Sequence, residues 1–190
     1  MPGRRGPALS IKDRGRARAL IRAPHDDAYG KIESMARAGE ELVNPITGER
    51  IVFRKTAADT GGKLLEMDDF WPQRGHRAPV HVHPEMRERW EILSGTACFR
   101  IAGSERTAGP GEVVVADPGV PHMAWNPTDE PVHLRIQMRP ALRWERFVER
   151  LFALVSDGVR GERGDPEPVL LLELLREFPR EIALVTPSRD

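Results

Sequence analysis

His81 and His83 are separated by a single residue, Glu88 follows them closely, and His122 stands in a separate Gly/Pro-rich segment. Alternate residues of a β-strand share a face. A strand through the first stretch therefore turns His81 and His83 to one side, with Val80 and Val82 opposite. A turn over Pro84 to Arg87 should then bring Glu88 back on a partner strand beside the two histidines. His122 has to arrive from elsewhere in the fold. Three imidazoles and a carboxylate are a good donor set for a divalent transition metal. A chain built to use them must fold two distant segments onto one point.

Two spaced patterns enclose these residues. The first reads Gly75-x5-His81-x-His83-x4-Glu88-x6-Gly95, and the second Gly111-x5-Asp117-x-Gly119-x2-His122-x3-Asn126. Together they resemble the paired motifs of the cupin superfamily. The departure is Asp117, which stands where the family has proline, with Pro118 beside it. That position belongs to a turn and not to a ligand. The resemblance runs over residues 45–140 and is to single-domain cupins of the type-2 conserved-barrel kind. It implies a small double-stranded β-helix, or jelly-roll barrel. It also implies that His81, His83, Glu88 and His122 bind one divalent transition metal: Fe, Mn, Ni, Zn, Co or Cu. The ligand set alone does not choose among these metals.

The rest of the chain is compatible with an all-β barrel carrying C-terminal α-helices. Ile51–Phe53, Lys63–Phe70, Ala97–Ile101 and Glu112–Ala116 read as short strands between Gly/Pro/Asn turns. Gly103-Ser104 is a hairpin signal. From Val132 to Met138 the alternation is regular, with Leu134, Ile136 and Met138 on one face and His133, Arg135 and Gln137 on the other. After Pro140 the period becomes helical. Trp144, Phe147, Val148, Leu151, Phe152 and Val155 form one stripe, with Gly158 placed as the stop. Pro168 suits the first turn of a second helix running to Phe178, with Leu170, Leu171, Leu174 and Leu175 on its apolar face. This divides the chain into an extension over 1–40, a barrel over 41–140 and helices over 141–190 that pack on the barrel or on a dimer partner.

Composition narrows the partners. The chain of 190 residues has 29 basic and 29 acidic side chains, so no global charge drives it towards nucleic acid or an anionic membrane. No apolar run reaches the length of a membrane span. A single cysteine, Cys98, allows no internal disulfide and fits a reducing cytoplasm. It lies in an apolar strand without a nearby base and is read as structural. The first 22 residues hold seven basic side chains against Asp13. They are read as a disordered arm, or as a mis-started stretch ahead of a natural start at Met35. His25, His76 and His133 fall outside both motifs and receive no role.

Strand period also nominates pocket walls. Trp90 shares a face with Glu88; Ala124 and then Asn126 share one with His122; Met67 is a further inward candidate. The resemblance implies a small-molecule substrate and a homodimer. The leading function is a metal-dependent enzyme of dioxygenase type acting on a small organic substrate. The alternatives are a lyase, isomerase or cyclase, and a non-catalytic small-ligand binder.

Overall fold

The computed structural model describes residues 36–73, 79–156 and 167–185, all within one compact unit spanning Ser34–Asp190. The basic arm, His25, Met35, His76 and Gly158 lie outside the described residues.

Two antiparallel sheets make the body of the fold. One has six strands in the order β1-β2-β3-β10-β5-β8: β1 (Glu41–Val43), β2 (Arg50–Lys55), β3 (Leu65–Trp71), β5 (Arg87–Ser94), β8 (Val113–Ala116) and β10 (Val132–Arg139). The other has five in the order β11-β4-β9-β6-β7: β4 (His81–Val82), β6 (Ala97–Ile101), β7 (Ser104–Ala108), β9 (His122–Trp125) and β11 (Ala183–Leu184). Among the described residues three helices complete it: α1 (Ala57–Thr60), α2 (Trp144–Ser156) and α3 (Pro168–Glu177). This is the double-stranded β-helix with helices after the last long strand. Among the described residues no helix is long and apolar enough to cross a membrane.

Period-two patterning accounts for the large sheet. Phe53, Met67, Ile136, Trp90 and Val114 are cross-strand neighbours on five successive strands, and all are buried. Such directly opposed side chains are the unit of sheet stabilisation. The opposite face of the same strands is charged. Arg135 donates to both carboxylate oxygens of Asp68 at 2.9 and 3.3 Å, and Gln137 donates to Glu66 at 2.6 Å. Trp90 on β5 meets Phe99 on β6 with ring centroids 5.2 Å apart, joining the two sheets.

The β6–β7 hairpin turns at Ala102-Gly103, with φ of 48° and 83°, one residue earlier than the Gly103-Ser104 signal suggests. Ser104 already pairs with Ile101. Both central residues have positive φ, the requirement of a two-residue hairpin turn whose twist matches its strands. Strand β7 has no apolar alternation because it is an edge strand with four exposed residues. Helix α1 begins in a capping box, where Asp59 N–H donates to Thr56 Oγ1 and Thr56 N–H donates to Asp59 Oδ2. Glu145 of α2 is buried and accepts from Ala57 N–H at 2.9 Å, tying α2 to α1.

The helices pack on the barrel. Trp144, Phe147, Val148, Phe152, Leu174 and Phe178 belong to the same buried cluster as the barrel residues. In α3 the apolar face is narrower than the leucine pattern suggests. Leu174 and Phe178 are buried, whereas Leu170, Leu171 and Leu175 are half-buried.

Candidate metal centre

His81 lies on β4 and is the direct cross-strand neighbour of His122 on β9. His83 follows immediately after β4. Glu88 does not reach the site as expected. Strand β5 is not a partner of β4; it belongs to the facing six-stranded sheet. The segment Pro84 to Arg87 carries the chain from one sheet to the other, and Glu88 meets the histidines from across the interior. A hairpin return would have placed all three on one sheet. The crossing allows the carboxylate to point at the imidazoles head-on.

One ligand atom from each of the four side chains lies within 4.8 Å of all the others, and all four residues are buried. Glu88 Oε2 is 2.9 Å from His83 Nε2 and 3.1 Å from His122 Nε2. Two ligands each about 2.1 Å from one ion and at right angles would be about 3.0 Å apart. The separations therefore fit a single metal with Glu88 adjacent to both imidazoles.

The ring protons support the same fit. His81 Nδ1–H donates to Pro79 O at 2.8 Å, His122 Nδ1–H to Val120 O at 2.8 Å, and His83 Nδ1–H to Glu181 O at 2.6 Å. A carbonyl can only accept, so Nδ1 carries the proton in all three rings. In the neutral imidazoles each Nε2 then presents a lone pair, the ligand form. For His83 and His122 that lone pair faces a carboxylate oxygen. Two such groups repel unless a cation, either a proton or a metal, sits between them.

Titration follows from this crowding. Burial works to raise the Glu88 carboxyl, but the charge and hydrogen bonds of His83 and His122 outweigh it and hold the group well below the carboxylate range. Burial works to lower His122, yet its hydrogen bond and charge interaction with Glu88 raise it above an ordinary histidine. His81 is pushed down to about 4 by burial and by the neighbouring His122 and His83. Metal must displace the proton held on His122. Apparent Zn2+ affinity should therefore climb as pH rises through the neutral range and flatten above the raised value of His122. His81 adds nothing there. Calorimetry in buffers of differing protonation enthalpy should record more proton release on zinc binding at about pH 6 than at about pH 8. Equal release at both would contradict the shift on His122.

The family model described as a cupin domain matches residues 71–136, a stretch holding all four of these side chains. Over those residues the chain carries a cupin domain. No curated protein matches it. Among solved structures, this chain is similar to a predicted oxalate decarboxylase from Thermotoga maritima, 19% identical, over 57% of this chain and 96% of that one, with a TM-score of 0.47. It is similar to the DMSP lyase DddQ from Ruegeria pomeroyi, 33% identical, over 43% of this chain and 40% of that one, with a TM-score of 0.38. The cupin domain of Schizosaccharomyces pombe Cnp3 is 14% identical over 48% of this chain, with a TM-score of 0.44, and the match spans 61% of that domain's length.

Apolar residues close around the four side chains. Trp90 is 5.5 Å from the His122 ring, centroid to centroid. Met67 sits in the Trp90 row of the large sheet, two rows from that of Glu88 and on the same face. Ala124 is buried on β9 opposite Phe99. Asn126 lies past the end of β9, and its amide is engaged in the loop. It donates to Pro72 O and Glu130 O at 2.8 and 2.7 Å and accepts from Thr128 N–H at 2.9 Å. Strand alternation from His122 does not continue to Asn126, which holds the turn instead. Cys98 is buried and free, and lies opposite Trp125.

Two contributors were invisible in the local sequence. Trp144, read there as helix core, sets its ring edge-on against His83 at 4.7 Å. Glu181 contributes a backbone carbonyl, which no side-chain pattern can signal.

Proposed function

We propose that this cupin is a metal-dependent enzyme acting on a small organic substrate, with oxygenase chemistry of dioxygenase type as the leading reading. The observation that carries it is the convergence of three imidazoles and the Glu88 carboxylate, one ligand atom from each within 4.8 Å of the others, among apolar neighbours. Were the metal six-coordinate, these four side chains would leave two positions for solvent or substrate, and an open position separates catalytic sites from closed structural ones. A divalent metal held there supplies Lewis-acid chemistry and, if redox-active, electron transfer.

The protein's own side chains have distinct tasks in this reading. Glu88 offsets part of the metal's charge. The three Nδ1–H bonds fix the rings so that Nε2 is available. Trp90, Phe99 and Trp144 keep the ligands out of bulk water and favour an apolar or aromatic substrate. The charged groups acting on His81, Glu88 and His122 are other members of the cluster. That favours a reaction centred on the metal over one run by a separate acid–base pair.

The test is a panel of small organic compounds, aromatic ones first, offered to protein loaded with Fe2+, Mn2+, Ni2+, Cu2+ or Zn2+. Oxygen uptake and product mass are followed together. Oxygen consumption that disappears in His122→Ala is the expected result. Product without oxygen uptake would assign a lyase, isomerase or cyclase. Binding without conversion by any metal form would assign a ligand-binding protein.

A further inference from the structure

Each ligand histidine has its Nδ1–H held by a carbonyl, but the carbonyls differ in origin. For His81 and His122 the acceptor is two residues upstream, at Pro79 and Val120. Their rings are fixed by the chain that carries them. For His83 the acceptor is Glu181, 98 positions away.

We propose that residues 177–185 form a strap that positions His83, which makes the C-terminal segment part of the metal centre. The proposal rests on the metal-binding reading above. The strap runs antiparallel along the ligand-bearing segment and touches it at successive points. Val185 N–H donates to Val80 O at 3.1 Å. Leu184 pairs with His81 and Ala183 with Val82. Glu181 O takes the His83 proton at 2.6 Å. Arg180 donates to both oxygens of Glu85 at 2.9 and 2.6 Å. The strap is therefore in register with the two histidines of the first motif and with the turn that follows them.

The strap is fastened from behind. Arg143 donates through Nη2 to Glu177 O at 2.7 Å, and through its backbone N–H and Nε to Glu181 Oε1, both at 3.2 Å. Its guanidinium lies 4.9 Å over the ring of Phe178, which is wholly buried. Phe178 meets Phe147, Phe147 stacks on Trp144, and Trp144 sets its edge against His83. Contacts thus close a circuit from Arg143 through the strap to His83 and back through Trp144. A partner behind a ligand histidine fixes its tautomer and orientation and raises its basicity, and losing it typically costs about 10- to 100-fold in metal affinity.

The probe is Zn2+, with affinity read by chelator competition at a temperature where circular dichroism shows each variant folded. Arg143→Ala should weaken zinc about 10- to 100-fold, Glu181→Gln should weaken it less, and Arg143→Lys should restore part of the loss. Arg106→Ala breaks only an exposed pair with Glu112, outside the strap, and should stay within about twofold of the wild type. A folded Arg143→Ala protein with wild-type zinc affinity would overturn the strap. Hydrogen exchange on the unaltered protein gives an independent reading. Zinc saturation should slow exchange at the Ile182–Val185 amides, and unchanged exchange there would also overturn it. Failure of the wild type to bind zinc at all would refute the metal reading and the strap together. Zinc binding indifferent to Arg143 and to the strap amides would refute the strap alone.

Discussion

His122→Ala should lower zinc affinity by more than about 100-fold while leaving the barrel folded. The lower bound is the loss expected from removing a mere supporting partner behind a ligand, and here the ligand itself goes. His122 is the side chain that joins the two sheets' contributions: it faces His81 across β4 and β9 and Glu88 across the interior. Its removal also relieves Glu88 of one of its two imidazole neighbours. The Glu88 carboxyl should then move up from its lowered position, since burial pushes it upward and only His83 remains to oppose that. Folding should survive because an alanine beside Ala124 on β9 leaves the strand's pairing intact. Elemental analysis and chelator competition check the first claim, and far-ultraviolet circular dichroism checks the second. Wild-type affinity in His122→Ala would remove this residue from the site.

The largest effect on stability is expected at Gly95, which closes the first motif. This glycine has φ of +79°, and a Cβ added there would lie 2.4 Å from Pro131 O and 3.0 Å from Val132 Cα. It sits between β5 and β6, where the chain leaves one sheet for the other. Gly95→Ala therefore meets two penalties at once: a left-handed backbone that L-residues resist, and overlap with backbone that cannot rotate aside. About 3 kcal/mol or more is expected. Gly103→Ala is the control. Its φ is +83°, but nothing lies within 4 Å of the added atom, so only the conformational cost of about 1 kcal/mol should appear. Urea denaturation of the two variants separates the contributions. Equal losses would show that close approach at Gly95 has no weight.

The ligands and the barrel were legible for different reasons. His81 and His83 stand out because one intervening residue predicts a shared strand face; the structure brings both to the cluster, His81 from β4 and His83 from just past its end at Val82. Val132–Met138 alternates cleanly because β10 is central, with an apolar face inward and a charged face outward. Strands β7 and β11 were not legible. β11 is only two residues long, too short for any period, and β7 is an exposed edge. The route of Glu88 was misread because spacing gives a distance along the chain and not the sheet to which the next strand belongs. Asn126 lies past the end of β9 at Trp125, where strand alternation does not govern its side chain. Glu181 had no signal at all, since its contribution to His83 is a main-chain oxygen.

X-ray absorption spectroscopy on the wild-type protein loaded with one equivalent of Zn2+ tests the central claim most directly. The account predicts a first shell of three imidazole nitrogens and a carboxylate oxygen at about 2.0–2.2 Å, with any further light atoms from solvent. A shell with fewer than three imidazoles, or one containing sulfur from Cys98, would contradict it.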